Sequence, residues 1–429
     1  MTIQFRTLSR TAIAGLALAA LPVGAIAAPT GPGMIELVSA APGGGGGAGD
    51  STAGTEKGLD VSADGRYVVF SSYASDLVVG DTNNQRDVFV RDARTGRTTL
   101  ASVGVGGGQG NGESREGSIS ADGRFVAFNT NATNLFPGDT NNSPDVLVRD
   151  LRTGRTTLAS VGPNGLADHG AHQPEISGDG KHVVFTSGST NLVAGDTNGT
   201  EDVFVRDLAT RRTERISLSA SGQQLDLYSR EPTISGNGRF AVFVTAASRV
   251  SVRDRLKNTT RVISDGVVLD PRTVDTEFGY TSFSADGRYV VLTVTEYQAV
   301  GFDPVPNIWL RDLRTNRLEL ITGDRLGRPS TTISPVRRSD VSADGRYVTF
   351  STAARLTPAD SDDLSDVFRL DRKTGDRVWI TRGQQPTTGG GTGSFGPAIS
   401  DDGRYVAFES ENDGLVPGVS GSQTYLWSK

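Results

Sequence analysis

Cysteine is absent from the 429 residues, and its absence excludes several kinds of chemistry at once. The chain can form no disulfide, thiolate nucleophile, cysteine-bound zinc site or acylated lipoprotein cysteine. Histidine occurs three times, and aromatic residues make up 7% of the chain. Glycine, by contrast, occurs 54 times. This balance favours many short strands joined by tight turns over a large helical core.

The chain also lacks an excess of positive charge, since its formal net charge is −6. A net-acidic chain is a poor candidate for broad binding to nucleic acid or to an anionic membrane surface, and we expect neither. Its longest apolar run, from Ala12 to Leu21, falls short of the ~20 residues that a membrane-spanning helix needs. We therefore expect no membrane span.

The first residues have the pattern of a secretory signal peptide. Arg6 and Arg10 precede the apolar run, and Ala25-Ile26-Ala27 forms a small-x-small cleavage site. The pattern predicts a signal peptide over residues 1–27 and a single mature domain over residues 28–429. We expect the mature protein to be exported and to be either periplasmic or secreted.

One short sequence recurs seven times along the rest of the chain. Its first copy, Ser-Ala-Asp-Gly-Arg-Tyr-Val-Val-Phe, begins at Ser62. Variants follow every 49 to 58 residues, beginning at Ser120, Ser177, Ser235, Ser284, Ser342 and Ser400. Repeats of this length, each able to form four strands around tight Asp-Gly and Thr-Gly turns, are typical of propeller blades.

The strand count also predicts how the ring closes. The seventh unit ends in its third strand, Thr424 to Trp427, and has no fourth. A lone strand from Met34 to Ser39 precedes the first unit and resembles the fourth strands. The sequence therefore predicts an all-β, seven-bladed β-propeller of four-stranded antiparallel blades, in which Met34–Ser39 completes the last blade and removes the open sheet edges.

Two stretches, Ile119 to Arg124 and Asn191 to Asn198, resemble the TolB-like, WD-like propeller repeats of bacterial envelope proteins. The resemblance covers almost all of residues 28–429 and implies an exported propeller. It departs from TolB in two ways. No small α/β domain precedes the propeller, and Ala63 stands where the family usually has proline. The resemblance implies a fold rather than a function, because propellers have many roles.

The long connections of each unit are expected on one face, which we call the top face, and binding usually lies on such loops. At one repeated position beside the expected central channel, five of seven residues can carry positive charge. They are Lys57, Arg115, His172, Arg230 and Arg337. Two interpretations stay open: a rim that binds anions such as carboxylate or phosphate, or internal pairing with Glu56, Glu116 and Glu231.

A second pattern of oxygen-bearing side chains ends the loop before the third strand of four units. It comprises Asp81, Asn83 and Asp87; Asp139, Asn141 and Asp145; Asp196, Asn198 and Asp202; and Asp360, Asp362 and Asp366. The spacing resembles part of a calcium loop and suggests structural Ca²⁺. The alternative is a set of Asx turns that organise the loops without metal.

No nucleophile elbow, phosphate-binding loop or zinc helix motif occurs in the sequence. The main hypothesis is therefore a non-catalytic interaction module that uses its top-face loops and channel mouth to bind a protein partner or an anionic glycan or peptide. The alternative is a carbohydrate-active lyase or hydrolase with its site at the channel mouth. Glu116, Glu231 and Asp340 are the candidate acids for that alternative.

Overall fold

The computed structural model describes residues 33–51, 58–267, 273–298, 305–322, 338–357, 364–383 and 393–429. These residues form seven four-stranded antiparallel sheets and one short hairpin, and no helix occurs among them. The predicted seven-bladed propeller is confirmed. None of the described segments provides a helix that could cross a membrane.

Strands are lettered A to D from the channel outwards, and blades are numbered in chain order. Blade 1 comprises Asp60–Val61, Tyr67–Ser72, Asp87–Asp92 and Arg97–Leu100. Blade 2 comprises Ser114–Ile119, Phe125–Thr130, Asp145–Asp150 and Arg155–Leu158. Blade 3 comprises Ala171–Ile176, His182–Ser187, Asp202–Asp207 and Arg212–Arg215. The short hairpin of Val161–Gly162 and Gly165–Leu166 connects blades 2 and 3.

The remaining blades follow the same order. Blade 4 comprises Ser229–Ile234, Phe240–Thr245, Arg249–Asp254 and Thr259–Val262. Blade 5 comprises Thr273–Phe283, Tyr289–Gln298, Val305–Asp312 and Leu318–Leu320. Blade 6 comprises Ser339–Val341, Tyr347–Thr352, Asp366–Asp371 and Arg377–Trp379. Blade 7 comprises Ser394–Ile399, Tyr405–Ser410, Gln423–Ser428 and, from the N-terminal part of the chain, Met34–Leu37.

The predicted closure by the N-terminal strand is confirmed. Met34–Leu37 pairs antiparallel with Gln423–Ser428 as strand D of blade 7. The strand ends at Leu37, two residues earlier than predicted, although the Val38 amide still donates to the Thr424 carbonyl at 2.8 Å. The Ser39 hydroxyl donates to Gln423 Oε1 at 2.6 Å. The two ends of the described chain therefore hold one sheet together.

The repeated signature forms the turn between strands A and B on the face opposite the top face, here called the bottom face. In blade 1 the Ser62 hydroxyl donates to Asp64 Oδ1 at 2.8 Å and accepts from the Tyr67 amide at 2.9 Å. Gly65 has φ of 73°, a backbone conformation that glycine adopts without steric cost. Serine, aspartate and glycine thus each have a separate task in the turn.

The signature glycine has a second task, which concerns the neighbouring blade. A Cβ on Gly123 would lie 2.1 Å from the ring of Tyr67 in the preceding blade. All seven blades repeat this close approach of a turn glycine to a preceding ring, in the pairs Gly65–Tyr405, Gly123–Tyr67, Gly180–Phe125, Gly238–His182, Gly287–Phe240, Gly345–Tyr289 and Gly403–Tyr347. The signature therefore joins neighbouring blades as well as the strands within one blade.

Backbone hydrogen bonds between successive turns encircle the channel on the bottom face. The Ala63 amide donates to the Ala121 carbonyl at 3.1 Å, and the Ala121 amide donates to the Gly178 carbonyl at 3.0 Å. The series of hydrogen bonds continues from blade to blade and ends where the Asp401 backbone amide donates to the Ala63 carbonyl at 3.1 Å. Hydrophobic clusters fill the seams above, as where Val69 of blade 1 packs with Phe128 of blade 2.

Candidate functional site

The predicted rim residues that the structure describes occupy equivalent places on strand A. Arg115, His172 and Arg230 pair in register with Asn129, Thr186 and Val244 of their own blades. Each lies immediately before a β-bulge, at the end of the strand nearest the top face. Lys57 and Arg337 lie outside the described residues.

Two of these rim residues converge on one carboxylate. Glu201, which directly precedes strand C of blade 3, accepts a hydrogen bond from Arg230 of blade 4. The second Glu201 oxygen lies 3.2 Å from His172 Nε2. Hydrogen bonding from His172 and Arg230 lowers the pKa of Glu201 despite partial burial. Arg230 and His172 are thus both paired with Glu201, an acid that the sequence alone did not identify as a site residue.

Arg230 also stacks on an exposed aromatic ring. Its guanidinium carbon lies 4.6 Å from the centroid of Tyr228, and the Arg230 side chain is 50% exposed. Tyr228 itself is 42% exposed. An arginine over a tyrosine face gains from the ring quadrupole while both groups still face solvent.

A second tyrosine–arginine cluster lies at the seam between blades 1 and 2. Tyr73 is 47% exposed, and the guanidinium of Arg86 lies 5.7 Å from its ring centroid. The Tyr73 hydroxyl donates to Glu113 Oε1 at 3.0 Å. Partial burial and this hydrogen bond raise the pKa of Tyr73, while the charges of Arg86 and Arg115 oppose the rise. The two clusters therefore pair the same residue types from different strands, since Tyr73 and Arg86 flank the B–C connection of blade 1 and Arg230 lies on strand A of blade 4.

Just below the rim, three successive blades place a non-glycine residue in the left-handed backbone region. These residues are Glu116, Gln173 and Glu231, with φ of 56°, 55° and 52°. Blade 7 has Gly396 at the equivalent position, with φ of 64°. A left-handed backbone costs a non-glycine residue on the order of 1 kcal/mol or more.

The three bulge side chains form one hydrogen-bonded series across the mouth. The Gln173 amide donates to Glu116 Oε2 at 2.6 Å, and Gln173 Nε2 donates to Glu231 Oε1 at 2.5 Å. The Glu231 amide donates back to Gln173 Oε1 at 3.2 Å. Because strained backbone conformations cluster at functional sites, this series marks the mouth as a candidate site.

Deeper in the channel, acidic side chains join the inner strands across the seams. Asp60 accepts from the Ile119 amide of the next blade at 2.9 Å, and Glu175 accepts from the Ile234 amide at 2.9 Å. Asp340 accepts from the Ile399 amide at 2.9 Å. These carboxylates satisfy strand amides that no backbone carbonyl reaches, which gives them a structural role.

Burial raises the pKa of Asp60 and of Asp340, and one cation acts against the rise. The pKa of Asp60 is raised to about 6 by burial, partly offset by the charge of Arg338. Burial also raises the pKa of Asp340, with the same Arg338 opposing. The cavity that these strands enclose has a volume of about 120 Å³, so the channel is narrow at this level.

The predicted calcium loops place their residues together in the first three blades. In blade 1, Asn83 Nδ2 donates to Asp87 Oδ2 at 2.7 Å, and the Gln85 amide donates to Asn83 Oδ1 at 3.0 Å. The Ser102 hydroxyl donates to Asp87 at 2.5 Å. Burial raises the pKa of Asp87 to about 6, and the nearby charge of Asp81 adds to the rise.

Blade 2 repeats this arrangement. The Ser143 amide donates to Asn141 Oδ1 at 3.2 Å, and Asn141 Nδ2 lies 3.5 Å from Asp145 Oδ2. Burial, with a contribution from the charge of Asp139, raises the pKa of Asp145 to about 6. An Asx turn therefore forms in both loops. Each loop also holds two neighbouring carboxylates, and none of the interactions just described pairs them with a cation.

Blade 3 differs because an arginine lies between its two carboxylates. Arg215 Nη1 lies 3.2 Å from Asp196 and 3.4 Å from Asp202. Asn198 Nδ2 donates to Asp202 Oδ2 at 3.1 Å, as in the other blades. Leu100 and Leu158 end strand D of blades 1 and 2 at the position of Arg215. In blade 6, Asp366 accepts from the Thr381 hydroxyl at 2.6 Å, and Asp360 and Asp362 lie outside the described residues.

Across the described segments, no three or more histidine, cysteine, aspartate or glutamate side chains are arranged to hold a metal ion. His169 and His172 lie near the top face, whereas His182 lies between Asp179 and Asp207 on the bottom face. The histidines are therefore divided between the two faces. The calcium sites remain a prediction.

Sequence reasoning missed Glu201, Tyr73, Arg86 and Tyr228. Glu201 and Arg86 occupy the same position, directly before strand C, in blades 3 and 1. Comparing the aligned repeat at that position would have shown charged residues beside the rim. The left-handed bulge also had a signal, since Glu116, Gln173 and Glu231 align with Gly396.

Comparison with known proteins adds support for the fold. No protein-family model and no curated protein match the sequence. An oligogalacturonate lyase from Vibrio parahaemolyticus is similar in structure, with a TM-score of 0.52 and 14% identity over 89% of this chain and 90% of that one. An oligogalacturonate lyase in complex with manganese has a TM-score of 0.54 and 12% identity over 92% and 96%.

A putative TolB from Agrobacterium tumefaciens matches with a TM-score of 0.40 and 15% identity, over 62% of this chain and 79% of that one. This similarity is too weak to carry an argument. The propeller part of the predicted resemblance is confirmed, because both the blades and the two lyase structures show it. Similarity at these identities shows a shared fold alone.

Proposed function

We propose that this chain is a binding module that acts outside the cytoplasm and holds an acidic ligand, a glycan or a protein segment, at the channel mouth. The observation that carries the proposal is the pair of tyrosine–arginine clusters on the rim, Tyr73 with Arg86 and Tyr228 with Arg230. Of these four side chains Tyr73, Tyr228 and Arg230 are exposed and can reach a ligand, whereas Arg86 is buried and supports Tyr73. Tyrosine and arginine are among the residue types that contribute most to binding at interfaces.

The support beneath these clusters favours a preorganised site. Tyr73 is held by Glu113, and Arg230 is held by Glu201 and Tyr228. A side chain already fixed in one rotamer loses less entropy when a ligand arrives, so more of the interaction energy appears as affinity. Glu116, Gln173 and Glu231, which have left-handed backbone and are joined by hydrogen bonds, hold the chain just below the mouth in one conformation.

The charges around Arg230 determine how strongly an acidic ligand can bind there. Arg230 and His172 already face Glu201, so a ligand carboxylate at this place competes with the Glu201 carboxylate. Removing that competing charge should strengthen the binding of an anion, and removing Arg230 should weaken it. These opposite effects separate ligand binding from a purely structural ion pair.

The experiment titrates the purified protein with two probes, oligogalacturonate and a poly-glutamate peptide, by isothermal calorimetry. We expect saturable binding of at least one probe, strengthened several-fold by Glu201→Gln and weakened about tenfold by Arg230→Ala, since a charge-assisted hydrogen bond contributes about 1.5–3 kcal/mol. Arg404→Ala is the control, because Arg404 is an exposed arginine on the bottom face. Absence of saturable binding of both probes would refute the proposal.

One observation favours an enzyme as the second candidate. Glu116 and Glu231, two of the acids that could act in a lyase or hydrolase, are joined through Gln173 at the mouth, whereas Asp340 lies deeper and bonds to Ile399. The two structural neighbours that act on oligogalacturonate also share the overall fold. The test follows unsaturated uronate in the calorimetry samples by its ultraviolet absorbance. If this product accumulates and Glu231→Gln abolishes it, the protein is a lyase rather than a binding module.

A further inference from the structure

Blade 4 differs from its neighbours in the connection between strands B and C. Residues 73–86, 131–144 and 188–201 make this connection in blades 1, 2 and 3. In blade 4 only Ala246, Ala247 and Ser248 join the two strands. The sheet itself is complete, so the difference affects only what covers the top face.

In the first three blades the long connection buries a leucine against the preceding D–A connection. These leucines are Leu77, Leu135 and Leu192, which are at most 2% exposed. The D–A connection offers a small residue at the contact. A Cβ on Gly47 would lie 2.9 Å from Leu77, and a Cβ on Gly110 would lie 3.7 Å from Leu135. Ala167 and Leu192 belong to one cluster in the same way.

The D–A connection before blade 4 has the same shape, but blade 4 has no long B–C connection to cover it. The bridge between Leu218 and Gln224 matches the bridge between Val103 and Gln109 before blade 2. Leu225 follows that bridge, where the other copies have the small Gly110 or Ala167, and it fills part of the space. A groove of about 400 Å³ remains between Leu218, Leu225, Leu227 and the short Ala247 turn.

The groove is apolar along most of its walls, and its charged lining residues are Arg249, Arg261 and Asp226. Leu227 is 58% exposed and adds to the apolar surface of the groove. Arg249 begins strand C of blade 4, at the place that Asp87 and Asp202 occupy in blades 1 and 3. The charge at this place is therefore reversed relative to those blades.

We propose that this groove is a docking site for a loop of a protein partner that carries a leucine followed closely by an acidic residue. The chain's own copies show what fits. Each long connection places Leu77, Leu135 or Leu192 in the equivalent space and has an aspartate four residues later. In blade 1 that aspartate, Asp81, lies beside the like charge of Asp87, whereas in blade 4 a partner's acid would meet Arg249.

The groove lies on the outer part of blades 3 and 4. It is a separate site from the one proposed at the channel mouth. Its lining includes strand D residues Thr260 and Val262, which belong to the outermost strand of blade 4. Burying one leucine side chain contributes about 1.5–3 kcal/mol, so a single loop binds weakly by itself. A partner that also engages other surfaces of the propeller would gain from this contact through effective concentration.

The experiment uses a peptide that spans residues 188–199, taken from the blade 3 connection, as the probe. It is titrated into isotope-labelled protein and followed by backbone amide shifts. We expect saturable shifts confined to residues 218–227 and 245–251. A peptide with Leu192→Asp should give none, and a peptide with Asp196→Asn should bind several-fold more weakly, since it cannot pair with Arg249.

Two matched variants locate the contact on the protein. Leu227→Asp should weaken peptide binding at least fivefold, whereas Leu256→Asp, which changes a leucine that is 75% exposed in the C–D turn of the same blade, should leave it unchanged. Equal binding of the Leu192→Asp peptide, or no shifts in residues 218–227, would overturn the proposal. Self-association of the unliganded protein that Leu227→Asp abolishes would identify a second copy as the occupant and overturn the assignment to a different partner. The acidic probes and Arg230→Ala test the channel mouth separately.

Discussion

Replacing Gly123 with alanine should destabilise the propeller more than replacing Gly96, although the two glycines have nearly the same backbone conformation. Their φ values are 70° and 68°. A left-handed alanine costs about 1–2 kcal/mol at either position. The surroundings differ: a Cβ on Gly123 would lie 2.1 Å from Cδ2 of Tyr67, whereas the nearest heavy atom to a Cβ on Gly96 is Arg91 Nη2 at 3.6 Å.

The Tyr67 ring has little freedom to move away from an added methyl group. The guanidinium of Arg66 stacks on the ring at 4.6 Å, and Arg66 is held by Asp92 through a hydrogen bond of 3.0 Å. Overpacking of this kind costs about 1–3 kcal/mol beyond the backbone strain. We therefore expect a loss in the free energy of unfolding of about 2–5 kcal/mol for Gly123→Ala, against about 1–2 kcal/mol for Gly96→Ala.

Urea denaturation, followed by the fluorescence of the three tryptophans, measures the two losses on one scale. Gly287→Ala provides an intermediate case, because its Cβ would lie 3.0 Å from the Phe240 ring. The expected order of loss is Gly123→Ala, then Gly287→Ala, then Gly96→Ala. Equal losses for Gly123→Ala and Gly96→Ala would refute the view that the signature glycine serves the seam between blades.

Three further predictions concern the whole ring, its charges and its loops. Deleting residues 34–40 should lower the free energy of unfolding by several kcal/mol, since each lost ladder hydrogen bond contributes about 1 kcal/mol; an unchanged melting temperature would contradict the closure. Carboxylates with a raised folded pKa stabilise below their ordinary pKa of 3.8, and this contribution is lost as pH rises through about 6. Stability should therefore be greater at pH 5 than at pH 7.5, and Asp145→Asn should flatten this dependence; a melting temperature that rises from pH 5 to pH 7.5 would count against it. Millimolar calcium should raise the melting temperature of the unmutated protein more than that of the double variant Asp81→Ala and Asp139→Ala, which keeps only the loops of blades 3 and 6, whereas Asp196→Ala should keep the full response because Arg215 already offsets charge in blade 3; no response in the unmutated protein would leave these loops as Asx turns alone.

The fold was predictable because its determinants are local and repeated. Ser62, Asp64 and Gly65 form their turn within six residues, so their pattern in the sequence carries the geometry directly. The closure followed from counting strands, which needs only the missing fourth strand of the last unit and the lone strand near Met34. Neither inference depends on how one blade packs against the next.

The site was less predictable because its contacts cross the seams between blades. Glu231 follows Arg230 in the sequence, but Glu231 turns into the left-handed bulge and bonds to Gln173, while Arg230 bonds to Glu201 of the preceding blade. A repeat alignment places Arg230 and His172 at equivalent positions. It does not show that both reach the same carboxylate.

The blade 4 groove shows the same limit in another form. The short interval between Gly238 and Gly287 indicates that blade 4 has lost a loop. Whether the lost loop leaves a groove depends on whether neighbouring side chains fill its place. Leu225 fills part of it, and the remaining volume of about 400 Å³ could be known only from the packed structure.

The pairing of Met34–Leu37 with Gln423–Ser428 has a consequence for the order of events during synthesis. The first strand of the propeller to leave the ribosome has to wait for the last strand before it gains a partner. Until then blade 7 cannot form, and the ring of turns that ends with Asp401 bonding to Ala63 stays open. Contacts this distant along the chain form slowly and leave strand edges exposed to aggregation in the meantime. The edge of the N-terminal strand therefore stays without its native partner until Gln423–Ser428 is available to pair with it.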